Sequence, residues 1–483
     1  MAATQTFKKV LVANRGEIAV RIMRSAQELG LKAVAVYEET DKEAFHVMQA
    51  DEAVCLGPGP RLDYLNIQRI INAARKTGAQ AIHPGYGFLA ENPHFPEACI
   101  DAGLVFIGPP PEVIRNLGSK VIARQLAQDS GLPVIPATPT LTPGAPGERE
   151  ALTFAVAHGY PVMIKAVSGG GGRGIRQVDN DRALRGGLKA SRSEAMISFG
   201  NDEIYLEKRI SHPRHVEVQI LADTYGNVVH LGTRNCSIQR RHQKLIEIAP
   251  AGLEPGLTAQ ICRAAVEVAR AAHYVNAGTV EFLVEPDGNF YFLEVNTRIQ
   301  VEHTVTEMIT GIDIVREQLL IAQGEPVSFS QDQMVERGWA IELRINAEDP
   351  KNNFLASPGV VLVYQTSMGH GVRLDGAIYQ GYEIPRHYDS MMVKLTVYGF
   401  TWEEAVNRLA RALKGFLIVG VKTTIPYFQQ IVTDPDFRAM RFDTSYIDQH
   451  PQLLEYTEKE REVDKMARLI AEINAYGKNP YAQ

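Results

Sequence analysis

Pro161–Val178, PVMIKAVSGGGGRGIRQV, decides how the chain is read: an apolar run ends at Lys165, a loop Ser168–Gly174 carries five glycines and one arginine, and a second short run follows. Without Cβ atoms, such a loop brings backbone N–H groups close to phosphate oxygens. A P-loop needs a Lys-Ser/Thr pair opening a helix; here neither follows, so the segment is a β-hairpin with a glycine tip. Taken alone, the glycines fit a flexible turn equally well. The first strand leads into Asn14-Arg15-Gly16-Glu17, which lacks the G-x-G-x-x-G fingerprint and counts against a dinucleotide enzyme.

Working outward, the runs Lys9–Ala13, Ala33–Tyr37, Ala81–Ile82 and Val105–Ile107 alternate with amphipathic stretches, which predicts a parallel α/β layer over residues 1–108. Ile18, Ile22, Ala26 and Leu29 recur at helical spacing, and Gly30 is a stop signal. Pro109–Pro111 open a connector, 109–136, that contains a helix from Ser119 to Asp129. A Thr/Pro/Gly linker over Pro136–Gly147 leads into a small β-rich unit, 137–209. The largest region, 210–449, has strand-like His215–Leu221, a helix Leu257–His273, and a hairpin in which Pro286–Asn289 turns between Val280–Glu285 and Phe290–Val295. The tail, 450–483, reads as an amphipathic helix: Thr457 and Glu460 have capping-box spacing, and Val463, Met466, Leu469, Ile470 and Ile473 form its stripe.

With 483 residues, 45% hydrophobic and 22% charged, the chain is too long for one small module and excludes fibrous or wholly disordered classes. A net charge of −6 supplies no overall pull towards nucleic acid or an anionic membrane, so any anion site is built locally. Cys55, Cys99, Cys236 and Cys262 are scattered, with no CxxC pair, which fits a reducing cytoplasm. No early signal segment and no bilayer-length apolar run is found.

Lys165, just before the glycine loop, and Lys120, in the first turn after Ser119, are candidate phosphate cations; alone, each reads as a solvated lysine. Glu281 and Glu294 lie inside apolar strands, where carboxylates need partners. Glu294, Asn296 and Arg298 share strand parity, and oxygen ligands from adjacent strands suit Mg²⁺; a pair of structural salt bridges is the other reading. Arg298–His303 and the polar run Gln239–Lys244 are candidate oxyanion binders. His215 and Arg344, in strand-like runs, read alone as structural.

Together these segments resemble the biotin carboxylase family of ATP-grasp enzymes from Val10 to about Asp448. The resemblance rests on VLVANRGEI from Val10, IHPGYGFL from Ile82, Lys165–Gly174, PRHVE from Pro213, Gln239–Lys244, EVNTRIQVEH from Glu294 and RINAEDP from Arg344. It implies an N-terminal Rossmann-like domain, an ATP-grasp lid and a C-terminal domain closing the site. It further implies ATP between lid and body: Lys120 and Lys165 on the phosphates, Gly171 and Gly172 covering them, Glu207, Lys208, Arg209 and Ile210 along the adenine, and His215, Gln239 and His242 along the nucleotide. Glu281 and Glu294, with Asn296 beside them, are the implied holders of Mg²⁺ or Mn²⁺. Lys244, Arg298, Gln300 and Val301 form the implied bicarbonate site, Tyr86 and Arg344 lie near the biotin ring, and Glu302 is the implied base.

The implied reaction is carboxylation of biotin through carboxyphosphate. No Ala-Met-Lys-Met attachment motif is present, so the biotin is expected on a separate carrier protein or biotinylated carboxyltransferase subunit. Val301–Glu307, Gly420–Pro426 and the tail look like pyruvate carboxylase, whereas RINAED resembles stand-alone acetyl-CoA carboxylase subunits; the expectation leans to a pyruvate or other 2-oxoacid carboxylase subunit. The tail's stripe is expected to dock the partner. The resemblance also implies a homodimer, with the helix around Arg21, Arg24 and Glu28 as one candidate face, although those charges equally fit a solvated helix. The competing readings are another ATP-grasp ligase and a catalytically silent nucleotide-binding subunit.

Overall fold

The computed structural model describes residues 6–60, 63–168 and 174–457, together with residues 465, 469, 470 and 473. Five parallel strands open the chain: β1 (Lys9–Val12), β2 (Lys32–Glu38), β3 (Glu52–Gly57), β4 (Ala81–His83) and β5 (Val105–Phe106), in the order β3-β2-β1-β4-β5. Val10, Leu11 and Val12 are all buried, the mark of a strand covered on both faces. At the edge, β3 exposes Ala53 and Cys55, and this half-solvated pattern left it outside the sequence reading. The helix Gly16–Glu28 follows β1, and Gly30 ends it at φ +73°. The strand order reverses between β1 and β4, and there Asn14 Nδ2 donates to Pro84 O and Tyr86 O, both at 2.8 Å. Tyr86 is thereby held at the carboxyl ends of the strands, where such sheets bind ligands.

The connector carries a second helix, Pro111–Gly118, before the expected one at Lys120–Asp129. Beyond it, β6 (Val162–Ala166) pairs antiparallel with β7 (Ile175–Val178) and with β8 (Ile204–Lys208), so the expected hairpin is present. The unit is not simply β-rich: helices Ala145–His158 and Asp181–Phe199 pack on the sheet, and the first begins inside the stretch read as linker. The second hides its stripe in small residues. A Cβ on Gly187 lies 2.7 Å from Ile164 Cδ1, so glycine lets helix and sheet touch, and Leu184, Leu188 and Ala195 do the apolar work around it.

The rest of the chain is built on an eight-stranded antiparallel sheet. Its strands β9 (Arg214–Ala222), β10 (Val228–Arg240), β11 (Gln243–Ala249), β12 (Asn276–Val284), β13 (Phe290–Asn296) and β14 (Trp339–Asn346) are joined by Met391–Gly399 and Val372–Gly376. One face is apolar. Val216, Ile220, Val280 and Phe282 pack on Ile261, Ala265 and Val268 of the helix Pro255–Ala271; Ile246, Leu343 and Leu395 pack on Leu409 and Leu413 of Trp402–Gly415. The opposite face is also buried but polar: Glu217, Gln219, Arg234, Glu247, Glu281, Glu342, Lys394 and Thr396 all lie out of solvent. Period-two alternation thus separates two interiors rather than core from water.

Arg21 corrects one expectation. It is buried, donating to Glu307 at 2.9 Å and Asp313 at 2.7 Å, so only Arg24 and Glu28 of that trio face outward. Of the tail's stripe, Val463 and Met466 lie outside the described residues, as do Gly171 and Gly172. Among the described residues no helix is long and apolar enough to cross a membrane.

Candidate active site

The buried polar face is a ladder set by register: Glu294 stands opposite Glu281, Glu281 opposite Glu217, and Glu217 opposite Arg234. Like charges directly opposed repel, so the ladder requires cations between its rungs. Lys244 supplies one. Its Nζ donates to Glu217 at 2.6 Å, Glu281 at 2.9 Å and Glu302 at 2.7 Å. Arg234, fully buried, donates to Glu217, to Gln219 at 2.8 Å, and to Thr279 and Thr306 at 3.0 Å.

The segment after β13 curls over this ladder. Asn296 Nδ2 donates to Glu281 at 2.9 Å, and Arg298 donates to Asn296 Oδ1 at 3.1 Å and Gln300 Oε1 at 3.0 Å. Arg298 also lies 3.1 Å from Glu91. Glu302, completely buried, meets Lys244 on one oxygen and Arg344 at 3.1 Å on the other; Arg344 is held in turn by Glu247 at 2.6 Å. Lys394 donates to the Val301 carbonyl at 2.7 Å and lies 3.3 Å from Glu17, which accepts from the Tyr86 hydroxyl. The structure therefore gathers Tyr86, Lys244, Arg298, Gln300, Val301, Glu302 and Arg344 about one centre.

Burial drives the Glu302 pKa up, but Lys244, Arg344 and Arg234 outweigh it and hold the carboxyl well below its ordinary value. Burial pulls Lys244 down, yet Cys236 and the carboxylates facing it keep the ammonium charged. Glu281 resists burial through Lys244 and His215, whose Nε2 lies 2.8 Å away, and is held low. Glu294 goes the other way: burial and the neighbouring Glu281 raise it, with Lys120 opposing. Among the described residues Glu294 accepts no hydrogen bond.

That imbalance bears on a metal. Two opposed carboxylates, one raised by burial and by its neighbour and accepting no hydrogen bond among the described residues, with an amide oxygen beside them, form a set of hard oxygen donors. Glu281, Glu294 and Asn296 therefore fit Mg²⁺ or Mn²⁺. Lys120, at the start of a helix capped by Ser119, faces Glu294. Lys165, on β6, is paired with Glu207 of β8, with Arg124 at 3.9 Å from the same carboxylate. Lys208 donates to Gly159 O at 3.1 Å, Arg209 follows it, and Ile210 is buried. Gln239 lies near the end of β10, and His242 stands exposed at the hairpin tip with φ +64°. Neither Gln239 nor His242 makes a side-chain hydrogen bond among the described residues.

Arg234, Glu247, Glu342 and Lys394 escaped the sequence reading, and Glu17 and Glu217 were read only as parts of motifs. Four of them share one local feature, a charge between two apolar residues, in Val216-Glu217-Val218, Ile246-Glu247-Ile248, Ile341-Glu342-Leu343 and Val393-Lys394-Leu395; Glu17 and Arg234 lack it.

Three family descriptions match in succession: "Biotin carboxylase, N-terminal domain" over residues 6–114, "Carbamoyl-phosphate synthase L chain, ATP binding domain" over 119–329 and "Biotin carboxylase C-terminal domain" over 342–449. Biotin carboxylase 1 of Bacillus subtilis (strain 168) is 48% identical over 444 residues, covering 91% of this chain and 98% of its own. One of the pyruvate carboxylase subunits of Methanothermobacter thermautotrophicus is 50% identical over 446 residues, 92% of this chain and 90% of its own. Among solved structures, the biotin carboxylase domain dimer of Hydrogenobacter thermophilus 2-oxoglutarate carboxylase, in complex with MgADP, ADP and bicarbonate, matches with a TM-score of 0.89 at 48% identity, covering 94% of this chain and 100% of that one.

Proposed function

Because the chain belongs to the biotin carboxylase family of ATP-grasp enzymes, we propose that its buried ladder is where bicarbonate is activated by ATP and passed to biotin. The chain is an ATP-dependent carbon–nitrogen ligase using ATP, Mg²⁺ and bicarbonate, with biotin as a substrate carried by another chain. The observation that carries the site assignment is Glu302: a solvent-free carboxylate kept ionised between Lys244 and Arg344, beside Arg298 and Gln300.

Bicarbonate binds against Lys244, Arg298, Gln300 and the Val301 backbone. As Lys244 turns part of its charge to that anion, Glu302 loses part of the field that holds its pKa down and becomes a stronger base. It then takes the bicarbonate proton, and the freed oxygen attacks the γ-phosphorus of ATP, breaking the β–γ bridge so that ADP leaves and carboxyphosphate forms. Lys120 and Lys165 hold the phosphates, Lys165 releasing Glu207 to do so. Gly171 and Gly172 cover them, Glu207–Ile210 line the adenine, and His215, Gln239 and His242 lie along the nucleotide. A divalent ion on Glu281 and Glu294, beside Asn296, supplies charge neutralisation at the phosphates. The carboxyphosphate breaks down to CO₂ and phosphate, the phosphate takes the biotin N1 proton, and N1 captures CO₂. Arg344 steadies the negative ureido oxygen, with Tyr86 near the ring.

The carrier is a biotin carboxyl carrier protein or a biotinylated carboxyltransferase subunit, the assembly contains a homodimer of this chain, and the compartment is the cytoplasm. The likeness to a 2-oxoglutarate carboxylase and to one component of a pyruvate carboxylase supports a 2-oxoacid as final acceptor. The test is ADP release with Mg-ATP and bicarbonate, with and without free biotin, against Arg298→Ala. Stimulation by biotin that the variant loses supports the assignment. Deleting residues 457–483 is expected to weaken partner binding and to spare free-biotin activity.

A further inference from the structure

Beside Arg344 lie two carboxylates that the mechanism does not use. Glu247 on β11 and Glu342 on β14 are directly opposed across the antiparallel pair, so their side chains leave the same face of the sheet within reach of each other. Both are completely buried. Glu247 accepts from Arg344 on Oε1, while its Oε2 is buried with no hydrogen-bond partner. Glu342 accepts from Thr304 and from Thr396 at 3.4 Å on Oε2, while its Oε1 is likewise buried and unpartnered. One orphan oxygen therefore stands on each of two facing carboxylates.

We propose that Glu247 and Glu342 share one proton as a carboxyl–carboxylate pair, and that Glu247 is the positioning residue that holds the Arg344 guanidinium for substrate. A single O–H satisfies both orphan oxygens at once, whereas two ionised groups leave both bare and opposed. The charged groups around the pair agree. Glu247 faces Arg344, Glu302 and Lys244; Glu342 faces Lys394, Glu247 and Arg344, and its other contacts are the Thr304 and Thr396 hydroxyls. Burial raises both carboxyls above the ordinary glutamate value despite those cations. With one proton retained, Glu247 holds Nε of Arg344 at 2.6 Å and Nη2 at 2.5 Å, nearer than the 3.1 Å from Nη2 to Glu302, so Arg344 is able to leave Glu302 for a ligand while Glu247 still holds it.

The positioning half rests on the proposed function; the shared proton does not. Infrared spectra of the full-length protein without ligands are expected to show a protonated-carboxyl stretch at neutral pH that fades as pH rises. Glu247→Gln and Glu342→Gln should each abolish it. Absence of that band in the unsubstituted protein, or its survival in both variants, overturns the shared proton. In kinetics, Glu342→Gln keeps a donor towards Glu247 and is expected to hold the biotin KM within about threefold, whereas Glu247→Gln raises it about tenfold. Bicarbonate-dependent ATP cleavage without biotin should move far less in Glu247→Gln; equal losses in both reactions overturn the positioning role. An unsubstituted protein with no biotin-dependent turnover would instead count against the family-based assignment and leave the infrared result to decide the pair.

Discussion

Replacing Lys244 by methionine keeps the stem but removes the ammonium on which Glu217, Glu281 and Glu302 converge at 2.6, 2.9 and 2.7 Å. The lysine side chain is only 13% exposed, so water replaces little of that charge. Breaking a buried ion pair by deleting one partner costs about 3–5 kcal/mol, and three carboxylates share this one, so the upper part of that range applies near neutral pH. The cost is expected to depend on pH. In the parent protein Glu281 and Glu302 titrate below their ordinary value, so the stability they contribute is present above about pH 4.5 and disappears as pH falls further. Without Lys244, burial is opposed chiefly by His215 at Glu281 and by Arg344 and Arg234 at Glu302, so these carboxyls are expected to bind protons more readily than in the parent. The gap in stability between variant and parent therefore narrows as pH falls from 8 towards 5. Thermal unfolding of both proteins without ligands at several pH values reads this directly. A shift of the relevant transition by about 5–10 °C at pH 8, clearly smaller at pH 5, is expected. A loss under about 1 kcal/mol, or one that does not change with pH, refutes the claim that Lys244 neutralises an ionised carboxylate cluster.

Glu302→Gln keeps the shape of the base but cannot take a proton; bicarbonate-dependent ADP release is expected to fall about 10²–10⁴-fold, while calorimetry finds Mg-ATP affinity within about threefold. Glu294 makes no hydrogen bond among the described residues, so Glu294→Gln should leave the melting temperature nearly unchanged and raise the Mg²⁺ concentration for half-maximal activity about tenfold. Arg21→Met leaves buried Glu307 with Arg373 at 2.7 Å but takes the cation from half-buried Asp313; thermal unfolding should register a loss of about 1–3 kcal/mol, while light scattering shows the same mass as the parent at equal concentration.

The readable parts of the fold were those whose apolar pattern is one-sided or continuous. β1, β2 and β4 are short buried runs, and the β12–β13 hairpin is announced by Pro286-Asp287-Gly288-Asn289 between apolar strands. The helix Asp181–Phe199 was invisible because Gly187 and Ser191 occupy its buried face in place of large apolar residues. In the site, Glu281, Glu294 and the run Arg298–Glu302 stood out because each breaks an apolar strand or clusters locally. The partners that set their charge, Arg234, Glu247, Glu342 and Lys394, are brought in by sheet register from positions far apart in sequence. Nothing local distinguishes a charge that a strand turns to solvent from one it turns to a second, polar interior. Arg21 shows the same limit: on a helix full of charges it reads as surface, and only Glu307 and Asp313, far along the chain, make it internal.

The central claim is that this chain activates bicarbonate with ATP and hands the carboxyl group to biotin at the Lys244–Glu302–Arg344 centre. Carboxylation of free biotin from labelled bicarbonate, measured with Mg-ATP for the purified chain and for Glu302→Gln, tests it most directly. The account predicts acid-labile labelled carboxybiotin that requires both ATP and bicarbonate and falls at least about a hundredfold in the variant. Label incorporation that Glu302→Gln leaves intact, or none from a folded chain that binds Mg-ATP even when a biotinylated carrier is supplied, would contradict it.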